Sequence, residues 1–261
     1  MKIATNGIET NYEIAGEGPW LVLSHSLACD LTMWDPQMAA LTKKYKVLRY
    51  DTRGHGKSSA PAGAYSLDML ADDLKALLDG LKVVKPHYCG LSMGGMIGQT
   101  FALKYPGVLK TLVLADTTSQ YAPEAQALWA GRVKTATEQG MEPLVQGTLE
   151  RWFTEGFRKS RADVTGKVAQ LIRSTPTAGY AGCCQALPKI NVTARLKEIK
   201  TPIKVVCGEF DAGTPLAMSH EIQRNAPGSE LAVIANASHL ANVEQPEAFT
   251  MALTGVLAKH P

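Results

Sequence analysis

The chain of 261 residues has 45% hydrophobic side chains and a formal charge of +3 spread over interspersed Lys, Arg, Asp and Glu. That supplies one large core and excludes a disordered chain, a basic nucleic-acid footprint and a polybasic membrane patch. No apolar run approaches the roughly 20 residues of a membrane helix, and the start of the chain alternates polar with apolar residues unlike a signal peptide, so a cytoplasmic protein is expected.

In chain order, TNYEIAG and WLVLSH read as strands, and the first two strands, joined closely through Gly7 to Thr10, predict an antiparallel edge. MWDPQMAALTKK then reads as a helix and YKVLRYD as a strand. SLDMLADDLKALLDGL repeats its apolar residues three and four apart, the period of an amphipathic helix. KPHYCGLS and LKTLVLAD are strands with a helix after Ser92 between them. From Tyr121 to Leu187 the strand signal stops, and four helical stretches rich in aromatics follow: EAQALWAGRVKTATEQG, LVQGTLERWFTEGF, VTGKVAQLIRSTP and GYAGCCQAL. The alternation resumes with TPIKVVCGEFD, TPLAMSHEIQRNA, SELAVIANASH and QPEAFTMALTGVLAKH. This order predicts an α/β protein with a mostly parallel sheet, helices on both faces, a core over 1–120 and 188–261, and a helical lid over 121–187. Cys29, Cys89, Cys183, Cys184 and Cys207 are odd in number and scattered, and read as reduced packing residues.

Ligands of such sheets bind beyond the carboxyl ends of the strands, and the reactive-looking residues lie there. Gly90-Leu91-Ser92-Met93-Gly94 fits Gly-x-Ser-x-Gly, a sharp strand-to-helix turn that exposes a serine hydroxyl at a helix N-terminus, with the Met93 amide beside it as an oxyanion donor. A serine needs a base, and the base an orienting acid. His239 follows the last strand and precedes the last helix, completing the order serine, acid, histidine. His25, His55, His87, His220 and His260 read as packed or solvated. Asp211, past a strand end, is the expected acid, and Asp116, past the preceding strand, is its competitor. The loop His25-Ser26-Leu27 is placed to supply the second oxyanion amide, from Leu27, with the Ser26 hydroxyl near the substrate.

GHGKS at 54–58 imitates the end of a phosphate-binding loop, but Asp51 stands where the upstream glycine belongs and no helix opens at the lysine. Neither His-Glu-x-x-His nor Cys-x-x-Cys occurs, so no metal is expected.

The segments SHSLACDLTMW, VLRYDTRGHGKSSAP, CGLSMGGMIGQ, GEFDAGTP and ASHLANVEQPEAF together resemble the α/β-hydrolase superfamily. With RWFT and GYAGCCQAL, the chain is most similar to the 3-oxoadipate enol-lactonases of bacterial aromatic degradation. Ser26 stands where many such enzymes carry glycine, and ASH where many carry glycine before the histidine. The resemblance implies the α/β-hydrolase fold with an eight-stranded sheet, a cofactor-free Ser92, His239 and Asp211 triad, and an anionic small-molecule substrate, with no nucleic-acid or membrane partner. That substrate's carboxylate calls for a polar or cationic contact from the lid, for which Trp129, Arg132 and Trp152 are the candidates. A broad carboxylesterase, a perhydrolase, a carbon–carbon bond hydrolase and a ligand receptor on the same fold are the competing readings.

Overall fold

The computed structural model describes residues 1–261. Strands β1 (Lys2–Thr5) and β2 (Ile8–Ala15) form a hairpin through Asn6 and Gly7, both in left-handed backbone conformation. The antiparallel edge is therefore present, but it is built from Lys2–Thr5, a strand the periodic reading leaves out, and β2 begins at Ile8. Strand β3 (Trp20–Ser24) leads through a 3₁₀ turn at Leu31–Trp34 into α1 (Asp35–Leu41), and then come β4 (Lys46–Tyr50) and α2 (Leu67–Gly80). Ser66 caps α2 by accepting the Met69 N–H. β5 (His87–Leu91), α3 (Met93–Lys104) and β6 (Thr111–Ala115) complete the first half.

Between β6 and the next strand run five helices, α4 (Ala125–Gln139), α5 (Glu142–Trp152), α6 (Glu155–Ser160), α7 (Ala162–Ser174) and α8 (Thr177–Ala186). LVQGTLERWFTEGF is two helices, not one. Phe153 is extended (φ −135°, ψ 144°) with its ring buried, and Thr154 caps α6 by accepting the Phe157 N–H. A 3₁₀ turn at Thr193–Glu198 precedes β7 (Ile203–Gly208), followed by α9 (Leu216–Asn225), β8 (Glu230–Ile234), the single turn α10 (Ala241–Glu244) and α11 (Pro246–Leu257).

The eight strands lie in the order β1-β2-β4-β3-β5-β6-β7-β8, and β2 is antiparallel to both its neighbours while the remaining pairs are parallel. The central strands read as apolar runs because both faces are covered: β3, β5 and β6 are buried almost throughout. α1 packs with α11, and α2 packs with α3. Each fully buried aliphatic side chain here, such as Leu21, Val22, Leu23 and Leu112, contributes about 1.5–3 kcal/mol. One continuous apolar cluster joins these residues to Trp129, Val145 and Ile172 in the inserted helices, so sheet and insertion share a core. The phosphate-loop imitation has a structural use: Asp51 accepts the N–H groups of Leu31 and Lys57 and the Asn11 amide, holding the loop after β4. No helix is long and apolar enough to cross a membrane. All five cysteines are free and buried.

Candidate active site

Ser92 sits between β5 and α3 with φ 54° and ψ −112°, outside the regions a side chain normally favours. Its N–H donates to Ala115 O at 2.8 Å and its carbonyl accepts from Met96 N–H at 3.1 Å and Thr117 Oγ1 at 2.7 Å, so the surrounding backbone fixes the strained turn. The flanking glycines are steric requirements. A Cβ on Gly90 would collide with the Gly94 carbonyl, and one on Gly94 with the Ser24 carbonyl.

His239 follows β8 and is 3% exposed. Its Nδ1 lies 2.9 and 3.0 Å from the two carboxylate oxygens of Asp211, so the ring donates there and Nε2 is left free. Asp211 Oδ1 also accepts the N–H groups of Gly213 (2.7 Å) and Thr214 (2.9 Å), and Oδ2 accepts the Thr214 hydroxyl (2.8 Å). Gly213 is small because the loop wraps the imidazole: a Cβ there would lie 2.8 Å from His239 Nδ1. The ring stacks on Trp152, with centroids 6.1 Å apart and planes 29° apart. Asp116 makes no hydrogen bond to His239; its Oδ1 accepts the Gly208 N–H instead.

Ser92 and His239 open into one small cavity, whose walls include Ser26, Leu27, Trp129, Arg132 and Trp152. The Leu27 N–H has no acceptor within the protein. Met93 is fully buried and does not line the cavity, but as the first residue of α3 its amide has no carbonyl behind it in the helix. The Ser26 hydroxyl is buried without a partner. Next in the loop, Ala28 (φ 57°) donates its N–H to His55 Nε2 at 3.0 Å, and His25 Nε2 accepts the Thr52 N–H at 2.9 Å. Burial lowers the pKa of both histidines, that of His55 to about 3, so both rings are neutral braces.

Eight wall residues escape sequence reasoning, among them Arg151, Thr148, Tyr121 and Tyr180. Arg132 lies over the Trp129 ring, 4.5 Å from its centroid, and Arg151 Nη2 donates to Thr148 Oγ1 at 3.1 Å. Neither guanidinium forms an ion pair with an acidic side chain. Burial, and then the neighbouring charge of Arg132, pull the Arg151 pKa below its ordinary value. Only the adjacency of two cations, Trp129 and Trp152 on two helices could have hinted at Arg151.

The alpha/beta hydrolase fold family model matches residues 19–246. The chain is 38% identical over 259 residues to 3-oxoadipate enol-lactonase 2 of Acinetobacter baylyi, covering 98% of this chain and 96% of that one. It superposes on the crystal structure of the enol-lactonase from Burkholderia xenovorans with a TM-score of 0.95 and 36% identity, covering 99% of this chain and 100% of that one. A thermophilic esterase from Thermogutta terrifontis, solved with malate bound, gives a TM-score of 0.95 at 32% identity, covering 100% of this chain and 99% of that one. A strained serine turn on an eight-stranded, mostly parallel sheet, together with a family match over most of its length, makes this chain a member of the α/β-hydrolase family.

Proposed function

We propose that the protein is a serine hydrolase that opens a small carboxylate-bearing enol-lactone, 3-oxoadipate enol-lactone, to 3-oxoadipate. The observation that carries this reading is the pair Arg132 and Arg151 in one cavity with Ser92 and His239, neither held by an acidic side chain. Two guanidiniums lining one cavity without a counter-ion repel; a substrate carboxylate relieves them through charge-assisted hydrogen bonds. The 38% identity to an enol-lactonase supports the same choice.

In this reading Ser92 Oγ attacks the lactone carbonyl as His239 Nε2 takes its proton, and Asp211 steadies the imidazolium. The Leu27 and Met93 amides receive the oxyanion, and the Ser26 hydroxyl is a further donor beside them. The ring C–O bond breaks, the enol oxygen takes the proton back from His239, and the enol becomes a ketone. Water deprotonated by His239 then cleaves the acyl-serine and frees the product carboxylate. No cofactor enters. Residues 121–187 act as the lid over the core of 1–120 and 188–261, with Trp129 and Trp152 as its apolar walls.

The test compares kcat/KM for freshly generated enol-lactone and for p-nitrophenyl acetate in wild type, Ser92→Ala, Arg132→Ala and Arg151→Ala. Ser92→Ala should fold normally and lose nearly all turnover on both. Each arginine variant should raise KM for the lactone about 10–100-fold, the worth of a charge-assisted hydrogen bond, and leave the neutral ester within about threefold. Equal effects on both substrates, or a wild-type preference for the neutral ester, would replace the lactonase with a general carboxylesterase.

A further inference from the structure

Behind the Asp211 carboxylate lies a second one. Asp116, the residue after β6, has no exposed surface and a left-handed backbone (φ 44°). Its N–H donates to Val206 O at 2.9 Å and its Oδ1 accepts the Gly208 N–H at 2.7 Å, while Oδ2 has no partner. Carboxylate oxygens of Asp116 and Asp211 and the Cys207 sulfur all lie within 4.8 Å of one another. Two buried carboxylates this close do not both ionise. The proton goes to the one with fewer donors. Asp211 has four, from Gly213, Thr214 twice and His239, and Asp116 has one.

The other titratable groups around the pair point the same way. Cys207 on β7 and Cys89 on β5 are thiols whose pKa is pushed up by burial, so they stay neutral. Glu244 on α10 adds only negative charge toward Asp116, and Tyr121, near Asp211, is likewise pushed up by burial. His239 is the one basic group, and it is bound to Asp211 rather than to Asp116. Burial, and then the charge of Asp211, hold the Asp116 carboxyl well above the usual carboxylate range.

We infer that Asp116 is a positioning residue of this site: a neutral carboxylic acid whose Oδ2–H is turned toward the Asp211 carboxylate and fixes the charge and orientation of that group under His239. The inference rests on the triad reading above, and it gives the orphaned Oδ2 a purpose. A donor behind Asp211 draws charge from the carboxylate and so limits how tightly the imidazolium proton is held.

The test is the pH dependence of kcat/KM for p-nitrophenyl acetate in wild type, Asp116→Asn, Asp116→Ala and Asp211→Asn. Asp116→Asn keeps the acceptor for Gly208 and offers an N–H in place of the hydroxyl. It should stay within about threefold of wild type with the acidic limb unmoved. Asp116→Ala should lower kcat about tenfold at little changed KM and raise the acidic limb by about half a pH unit. A fall of the acidic limb by about one unit in Asp116→Asn would mean that a negative charge had been removed, and the inference would fail. So would an Asp116→Ala enzyme indistinguishable from wild type. Should the variants not fold, carboxyl ¹³C NMR of wild type at pH 7 decides: a protonated shift for Asp116 supports the inference and an ionised one ends it. Asp211→Asn tells this failure from that of the triad, because there a drop of about 10⁴-fold is expected. An active Asp211→Asn beside an inactive Asp116→Asn would make Asp116 the acid that serves His239 and overturn both.

Discussion

His55 has a ring with no exposed surface, and its Nε2 is committed to a single backbone amide, that of Ala28. The amide belongs to the loop from which Leu27 lines the cavity shared with Ser92, so His55 acts on that cavity through backbone geometry alone. His55→Ala should leave the buried Ala28 N–H unpaired, cost about 1–3 kcal/mol of stability, and lower kcat for p-nitrophenyl acetate more than it raises KM. Thermal unfolding and steady-state kinetics of the one variant check both halves. Single residues differ sharply in how far the sequence announces them. Ser92, Asp211 and His239 stand at strand ends in a fixed chain order, and Ser92 has glycines that nothing but a tight turn would require. Arg151 carries no such signal, because which helical side chain reaches the cavity depends on where α5 stops. It stops at Phe153, whose extended backbone lets Arg151 and Trp152 line the cavity from adjacent positions.

The inserted helices are sewn to the core at two places. At one, α8 lies so close to the loop after β4 that a Cβ on Gly179 would collide with the Gly54 carbonyl, and Tyr65 N–H donates to Gly182 O at 3.2 Å. At the other, the end of α5 meets the His239 loop: Ser238 Oγ donates to Arg151 O at 3.0 Å, Leu240 N–H to Trp152 O at 3.1 Å, and buried Glu244 accepts the N–H groups of both Thr154 and Ser238. Gly179→Ala should therefore cost about 1–3 kcal/mol through overpacking, read as a lower urea midpoint, whereas Gly166→Ala on α7, where a Cβ meets nothing, should be neutral or slightly stabilising. Periodicity announces the helices of the insertion but not these seams. The split between α5 and α6 depends on Glu244, ninety residues further on, and no local pattern can report a partner at that distance.

For the whole molecule, buried titratable groups set the pH dependence of stability. His25, His55 and His87 all have their pKa pulled down by burial in the native state, while unfolded histidine titrates near 6.5. Just below that pH the unfolded chain takes up about three protons that the native state refuses, so stability falls as pH falls. Asp116 works in the opposite sense. Its native carboxyl keeps a proton that the unfolded chain releases above about pH 4, so it lowers stability as pH rises. The net is about two protons on the acid side and one on the alkaline side, slopes of roughly 2.7 and 1.4 kcal/mol per pH unit, with a maximum between about pH 6 and 7. Urea midpoints from pH 5 to 8.5 should trace this dome, and Asp116→Asn should flatten its alkaline side. A midpoint that climbs steadily to pH 8.5 in wild type would contradict the assignment.

The two seams also bear on how this protein changes over evolutionary time. A chamber walled by helices that are fastened at two separate places is a mould rather than a jaw: its shape is stored in the fold before any guest arrives. Little ordering entropy is then left to be lost on binding, and a guest that does not fit finds no roof that can lift for it. Selectivity is then a matter of exclusion, and it is written in the wall positions, Thr148, Tyr180 and Leu187 among them. A descendant acting on a different ester would be reached through those positions, with the roof left where it is.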